Sequence, residues 1–140
     1  MTRIRPMVLA DYDPVYRIWA EAEGMCLGED DSRGRIRLYL GRNPGLCFVA
    51  TSGKGIVGTV LCGHDGRRGI LRHLAVVPGF RKQGVGRALT ARCLAALSRS
   101  GIRRCNLYVE DNNPAGMRFW EHLGFRQIKD DYRTFQIRLP

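Results

Sequence analysis

Apolar residues recur at Val15, Ile18, Trp19 and Ala22, the i, i+3, i+4, i+7 spacing of a helix with one buried face. Asp13-Pro14 ahead of them reads as a cap with proline at the first helical position, and a short strand near Ile4 precedes it. After the glycine-broken, acidic stretch GMCLGEDDS, a second helix is predicted to start near Ser32. It turns Ile36, Tyr39 and Leu40 inward until Asn43-Pro44 stops it. The period then shortens. LCFVAT, GIVGTVLCG and GILRHLAVV, separated by SGKG and HDGRR, read as three strands of an antiparallel meander. The loop PGFRKQGVG opens a helix through about Ser98, with Leu89, Cys93, Ala96 and Leu97 on one side and Gly101 closing it. RCNLYVE reads as a further strand. Asn113-Pro114 caps another helix bearing Phe119, Trp120 and Leu123, with Gly124 just past its end, and Phe125 to Leu139 is predicted to supply a final pair of strands.

The resulting order, βααβββαβαββ, sets one strand-helix-strand crossover into an otherwise antiparallel sheet, so the fourth and fifth strands should run parallel. Where such strands diverge, a slot opens at the carboxyl edge of the sheet. At 140 residues the chain is long enough for one domain with its own core.

Composition narrows the picture. Five cysteines, widely spaced and without a CxxC pair, argue against a disulfide framework or a zinc site and read as free thiols in a reducing cytoplasm. No apolar run approaches a membrane span, and MTRIRPMVLADYD lacks the features of a signal peptide, so a soluble chain with no membrane partner is expected. The formal charge of +10 favours an anionic partner. The arginines responsible are scattered from Arg3 to Arg138 rather than bunched, which points to a solvated surface and away from nucleic acid.

Candidate chemistry gathers in VVPGFRKQGVGRAL, residues 76–89. Gly84 and Gly86 are expected to take backbone angles other residues resist and to turn successive N–H groups toward one point. The helix that starts there adds its positive end, and Arg81 and Lys82 add charge. A pyrophosphate is the natural guest. A P-loop would need Lys-Ser or Lys-Thr after the last glycine, where Arg87-Ala88 stands. A dinucleotide fingerprint would need Gly or Ala at Leu89 and a parallel sheet up to this point.

Arg81, Gly84 and Gly86 directly after the strand LAVVP, followed by Asn113 and Ala115 and then FWEHLGF, resemble the GNAT superfamily of N-acetyltransferases. The block VGTVLCGHDGRRGILRHLAVVPGFRKQGVGRAL resembles its bacterial YpeA-like branch. The resemblance implies a single α/β (α+β) domain over residues 1–140. Its central sheet would be mixed and mostly antiparallel, with a parallel, splayed fourth and fifth strand and helices on both faces. It also implies acetyl-CoA as co-substrate and no metal. The amides of Lys82, Gln83, Gly84, Val85, Gly86 and Arg87 would receive the diphosphate, and Leu74, Ala75 and Val76 would pair like a strand with the pantetheine arm. Asn113 matches the family asparagine near that arm, although a plain helix cap explains it as well.

The catalytic pattern departs from the family. Where many relatives place a proton-donating tyrosine on the last long helix, Trp120 stands, and an indole is no acid at neutral pH, so Trp120 reads as packing on the cofactor arm or core. On the fourth strand, Arg72 and Ile70 occupy the base positions and neither can serve, while strand alternation turns His73 away from the slot as a structural residue. Tyr108 stands where ribosomal-protein alanine acetyltransferases carry a catalytic glutamate. It shares a predicted face with Glu110, making these two the candidates for acid and for base or water-positioner. No cysteine lies near a histidine in a recognisable dyad, which disfavours an acetyl-cysteine intermediate.

The expected activity is a cytoplasmic transfer of acetyl from acetyl-CoA to a primary amine of a small molecule or peptide N-terminus, by direct attack on the thioester. A catalytically weak CoA-binding or sensing module is the alternative, and a homodimer is left open. In this fold the acceptor is shaped by MCLGEDDSRGR and KDDYRTF. Their Glu29, Asp30, Asp31, Asp130 and Asp131 could attract a cationic amine, though solvated loop carboxylates are the favoured reading.

Overall fold

The computed structural model describes residues 1–53, 55–128 and 133–140. Its elements are β1 (Arg3–Pro6), α1 (Tyr12–Glu21), α2 (Arg33–Arg42), β2 (Phe48–Ser52), β3 (Gly55–His64), β4 (Gly69–Val76), α3 (Val85–Arg99), β5 (Cys105–Asn106) and α4 (Pro114–His122). Short 3-10 turns occupy Leu9–Asp11, Glu29–Asp31 and Pro78–Phe80. Two units can be distinguished, Met1–Tyr108 and Val109–Pro140.

In the first unit the strands lie in the order β1-β2-β3-β4-β5. The first three pairings are antiparallel and the β4–β5 pairing is parallel, the mixed sheet expected from the element order. Because strand side chains alternate, each face has its own helical cover. Val49, Leu61 and Ala75 pack with Val15, Ile18 and Trp19 of α1 and Ile36 of α2. On the other face Gly58 lets α3 approach closely, for a Cβ there would lie 3.1 Å from Val85 Cγ1 and 3.2 Å from Leu89 Cδ1. Leu89, Cys93, Ala96 and Leu97 are buried on the predicted side of α3.

Local chemistry sets the helix ends. Ser32 caps α2 by accepting from Arg35 N at 3.3 Å. Asn43 ends it and ties it to β3, donating from Nδ2 to the Tyr39 carbonyl at 3.1 Å and accepting from His64 N at 3.1 Å. The start of α1 differs from the prediction. The helix begins at Tyr12, with Asp11 rather than Asp13 at its cap position. Asp11 is held outside the helix by a paired contact with Arg5, 2.8 Å on each oxygen, and Pro14 is tolerated because the first N–H groups of a helix need no acceptor.

Two strand predictions are corrected. Among the described residues RCNLYVE forms a strand only at Cys105–Asn106, where it pairs with Gly69 and Ile70 of β4. The final strand pair across Phe125–Leu139 is absent among the described residues. Phe135, Ile137 and Leu139 keep the alternation of a strand but are exposed, because alternation supplies an apolar face and not the neighbouring backbone that a strand requires. In the second unit α4 carries an aromatic cluster in which Trp120 meets Phe119 and Phe125 edge-on, centroids 4.9 and 5.2 Å apart. Among the described residues no helix is long and apolar enough to cross a membrane.

Candidate active site

β4 leaves β5 after Ile70, so its edge from Leu71 to Val76 faces no strand on that side among the described residues. The predicted cofactor-pairing residues Leu74, Ala75 and Val76 lie on this stretch. An unpaired strand edge offers alternating N–H and C=O groups, the complement of a ligand built from amides.

The strand passes through the turn Pro78–Phe80 directly into the glycine loop. Arg81 Nε donates to the Val76 carbonyl at 3.0 Å and Gln83 Nε2 to the Gly79 carbonyl at 3.2 Å, so the loop is braced by its own side chains. Lys82 and Gly84 both have left-handed backbones, φ +61° and +82°. Successive changes of backbone hand gather N–H groups into an anion-binding concavity. Gly86 differs from the expectation: it already lies inside α3, where any residue adopts the helical angle, and only Gly84 of the pair needs its conformational freedom.

The first main-chain hydrogen bond of α3 runs from Ala88 N to the Gly84 carbonyl at 2.9 Å, so the N–H groups of Val85, Gly86 and Arg87 have no acceptor within the helix. No acidic residue lies in that first turn to neutralise its positive end. With the exposed Lys82 and Arg87 side chains alongside, these amides make a ready site for a phosphorylated ligand.

Tyr108 follows the end of β5 and is 78% exposed. Among the described residues β5 ends at Asn106, before Tyr108 and Glu110. In the second unit Asn113 acts as the helix cap that the sequence allowed, accepting from Gly116 N at 2.9 Å, and Trp120 belongs to the aromatic cluster of α4. Asp130 and Asp131 lie outside the described residues.

Sequence reasoning missed a second cluster. Between Arg72, opposite Leu61, and Ala75, opposite Thr59, β4 carries an extra residue. This bulge resets the side-chain alternation on which the reading of His73 depended. His73 takes φ +53° and places Nε2 2.7 Å from Asp31 Oδ1. Asp31 is therefore a buried partner and not the solvated loop carboxylate allowed by the sequence. Nothing local signals the pairing, since its members stand 42 residues apart.

Burial disfavours nucleophilic attack by Cys47, Cys93 and Cys105. Cys47, Cys62 and Cys93 are buried, and burial pushes the Cys47 and half-buried Cys105 thiols up to about 12. The described residues contain no group of His, Cys, Asp and Glu able to hold a metal ion. Arginines distant in sequence do meet elsewhere: Arg67, Arg68, Arg103 and Arg104 line a cleft of about 210 Å³. Arg67 and Arg68 immediately precede β4, whereas the glycine loop follows its far end.

Residues 12–125 match the model of the acetyltransferase (GNAT) family. An acetyltransferase of Yersinia enterocolitica is 31% identical over 122 residues, covering 87% of this chain and 86% of the relative. N-alpha-acetyltransferase 30 of Schizosaccharomyces pombe is 32% identical over 114 residues, 78% of this chain and 76% of the relative. Among solved structures, the PaiA N-acetyltransferase of Thermoplasma acidophilum in complex with coenzyme A superposes with a TM-score of 0.79 at 18% identity, covering 94% of this chain and 93% of that one.

Proposed function

This chain belongs to the acetyltransferase (GNAT) family, and from that membership we propose that it moves the acetyl group of acetyl-CoA onto a primary amine of a small molecule or peptide N-terminus. Transfer is by direct attack of the amine on the thioester. Residues 1–140 act together as one catalytic domain, and the reaction is cytoplasmic. The observation that carries this reading is the junction of β4 and α3: a strand edge without a partner leads into a left-handed loop and a helix end with no capping acid.

In this reading the amides from Lys82 to Arg87 hold the diphosphate of the cofactor, and Arg81, released from the Val76 carbonyl or still bound to it, adds charge. Leu74, Ala75 and Val76 pair with the pantetheine arm, assisted by Asn113 and Trp120. One β4 N–H aimed at the thioester oxygen would stabilise the negative charge that grows there during attack. Tyr108 protonates the departing sulfur. Glu110 serves as base or positions a water.

That the Schizosaccharomyces pombe relative is an N-alpha-acetyltransferase supports a peptide N-terminus as acceptor. Three acidic residues in the Glu29–Asp31 turn give a cationic amine an electrostatic reason to approach, although Asp31 spends its charge on His73. Titration calorimetry with CoA, followed by thioester turnover with a panel of primary amines, tests both halves. Micromolar-class CoA binding with acetyl transfer is expected. Binding with no transfer to any amine would leave the sensing module as the correct reading, and absence of binding would remove the loop from the mechanism.

A further inference from the structure

Resting on the transfer reaction proposed above, we propose that His73, held by Asp31, takes the proton released by the attacking amine. The Asp31 carboxylate is engaged on both oxygens: Oδ1 lies 2.7 Å from His73 Nε2, and Oδ2 accepts from Gly28 N at 3.0 Å. Its main-chain carbonyl accepts from the Tyr12 hydroxyl at 2.6 Å. An ionised carboxylate only accepts, so a neutral imidazole presents Nε2–H to it and carries its lone pair on Nδ1. Trp19 meets the imidazole edge-on, centroids 4.9 Å apart, and closes another side. Among the described residues Asp31 from the 3-10 turn faces the ring directly, with Tyr12 of α1 on the Asp31 carbonyl and Tyr16 of α1 against Tyr12 and Trp19. Asp13 and Arg33 stand around Tyr12.

Three features separate this pair from an ordinary structural contact. The side chains of His73 and Asp31 are 17% and 12% exposed, sheltered from bulk water yet within reach of it. His73 has a left-handed backbone, a conformation unfavourable for a non-glycine residue, so the strand bears strain to hold an imidazole there. A shielded hydrogen bond to a carboxylate adds little net stability, because desolvation of the carboxylate offsets the attraction, and stability alone does not account for the arrangement. The strained residue directly precedes Leu74, the first residue assigned to the cofactor arm, and its side chain meets the acidic turn between α1 and α2.

The step balances. The amine lone pair forms the new C–N bond at the thioester carbonyl carbon, and the surplus proton on that nitrogen passes to His73 Nδ1. The C–S bond breaks with its electron pair on sulfur, which takes a proton from water or from Tyr108, the phenol then regaining one from solvent. The imidazolium, facing the Asp31 carboxylate, returns its proton to solvent. Glu110 then keeps the water-positioning half of its role, and Asp31 is a positioning residue acting through the imidazole.

The test uses the whole chain with acetyl-CoA and two probe acceptors, a tetrapeptide with a free N-terminal alanine and spermidine. Asparagine tolerates the left-handed backbone, so His73→Asn should fold with its melting temperature close to that of wild type. It should lose about 100-fold in kcat while CoA affinity by calorimetry stays within about twofold. The acid-side limb of its kcat/KM profile should flatten, and added imidazole should restore part of the rate. Asp31→Asn, with the ring present but its carboxylate gone, should lower kcat with CoA binding intact and respond little to imidazole. A His73→Asn enzyme within about twofold of wild type, or one whose loss shows neither imidazole recovery nor a changed pH profile, would overturn the assignment while leaving the transfer reaction standing. A wild-type protein that binds CoA and transfers acetyl to neither probe nor any amine would overturn both.

Discussion

Gly84→Ala isolates the backbone conformation on which the proposed phosphate cradle depends. At φ +82°, Gly84 has nothing within 4 Å of the position its Cβ would take, so the substitution meets no steric obstacle inside the protein and acts through the backbone alone. Holding alanine in the left-handed region costs about 1–2 kcal/mol, and relaxing to another conformation would turn the Val85, Gly86 and Arg87 amides away from their common focus. Each hydrogen bond to a charged phosphate oxygen is worth about 1.5–3 kcal/mol, so misdirecting two of them should weaken CoA binding roughly 100-fold or more. Gly66→Ala is the matched control. Gly66 has φ +91°, also with nothing within 4 Å of a Cβ, but lies in the turn between β3 and β4. Both variants should lose comparable melting temperature, and only Gly84→Ala should lose CoA affinity in calorimetry. A folded Gly84→Ala protein that binds CoA as tightly as wild type would refute the argument that left-handed geometry builds the site.

Tyr108→Phe should lower kcat about 100-fold at saturating acetyl-CoA with little change in KM, while Trp120→Phe costs far less; a Tyr108→Phe enzyme within about twofold of wild type would leave the thiolate to depart without it. Iodoacetamide at pH 8 should label the exposed Cys26 of the folded chain and spare Cys47 and Cys105, both pushed up to about 12; intact-mass measurement reads the outcome, and rapid multiple labelling would contradict it. The Arg5 guanidinium, chiefly by its hydrogen bonds, holds the Asp11 carboxyl below the usual range. That contribution is full above the ordinary carboxylate range near ~4 and is lost as pH falls through the depressed folded value, so the stability gap between wild type and Asp11→Asn should narrow on acidification in urea titrations.

Where neighbours in sequence carry the physics, the letters were enough. The spacing of Val15, Ile18 and Trp19 determined the buried face of α1, Ser32 and Asn43 fixed both ends of α2, and the alternating runs between Phe48 and Val76 gave the meander. The backbone geometry of the proposed cradle from Arg81 to Arg87 was legible for the same reason: a strand, a glycine turn and a helix start are consecutive, and the chemistry of a helix end is local. Sequence failed where an element depends on a distant partner. Leu107–Val109 and Phe135–Ile137 have strand-like letters but form no strand among the described residues, because a strand is made by its neighbour as much as by its own side chains. The bulge at His73 left no mark in the alternation, since one extra residue in β4 becomes visible only against the register of β3. The tertiary fold alone brings Asp31 to His73 across 42 residues, because the distance between two side chains belongs to the packing of α1, the acidic turn and β4 together, and no short stretch of chain encodes it.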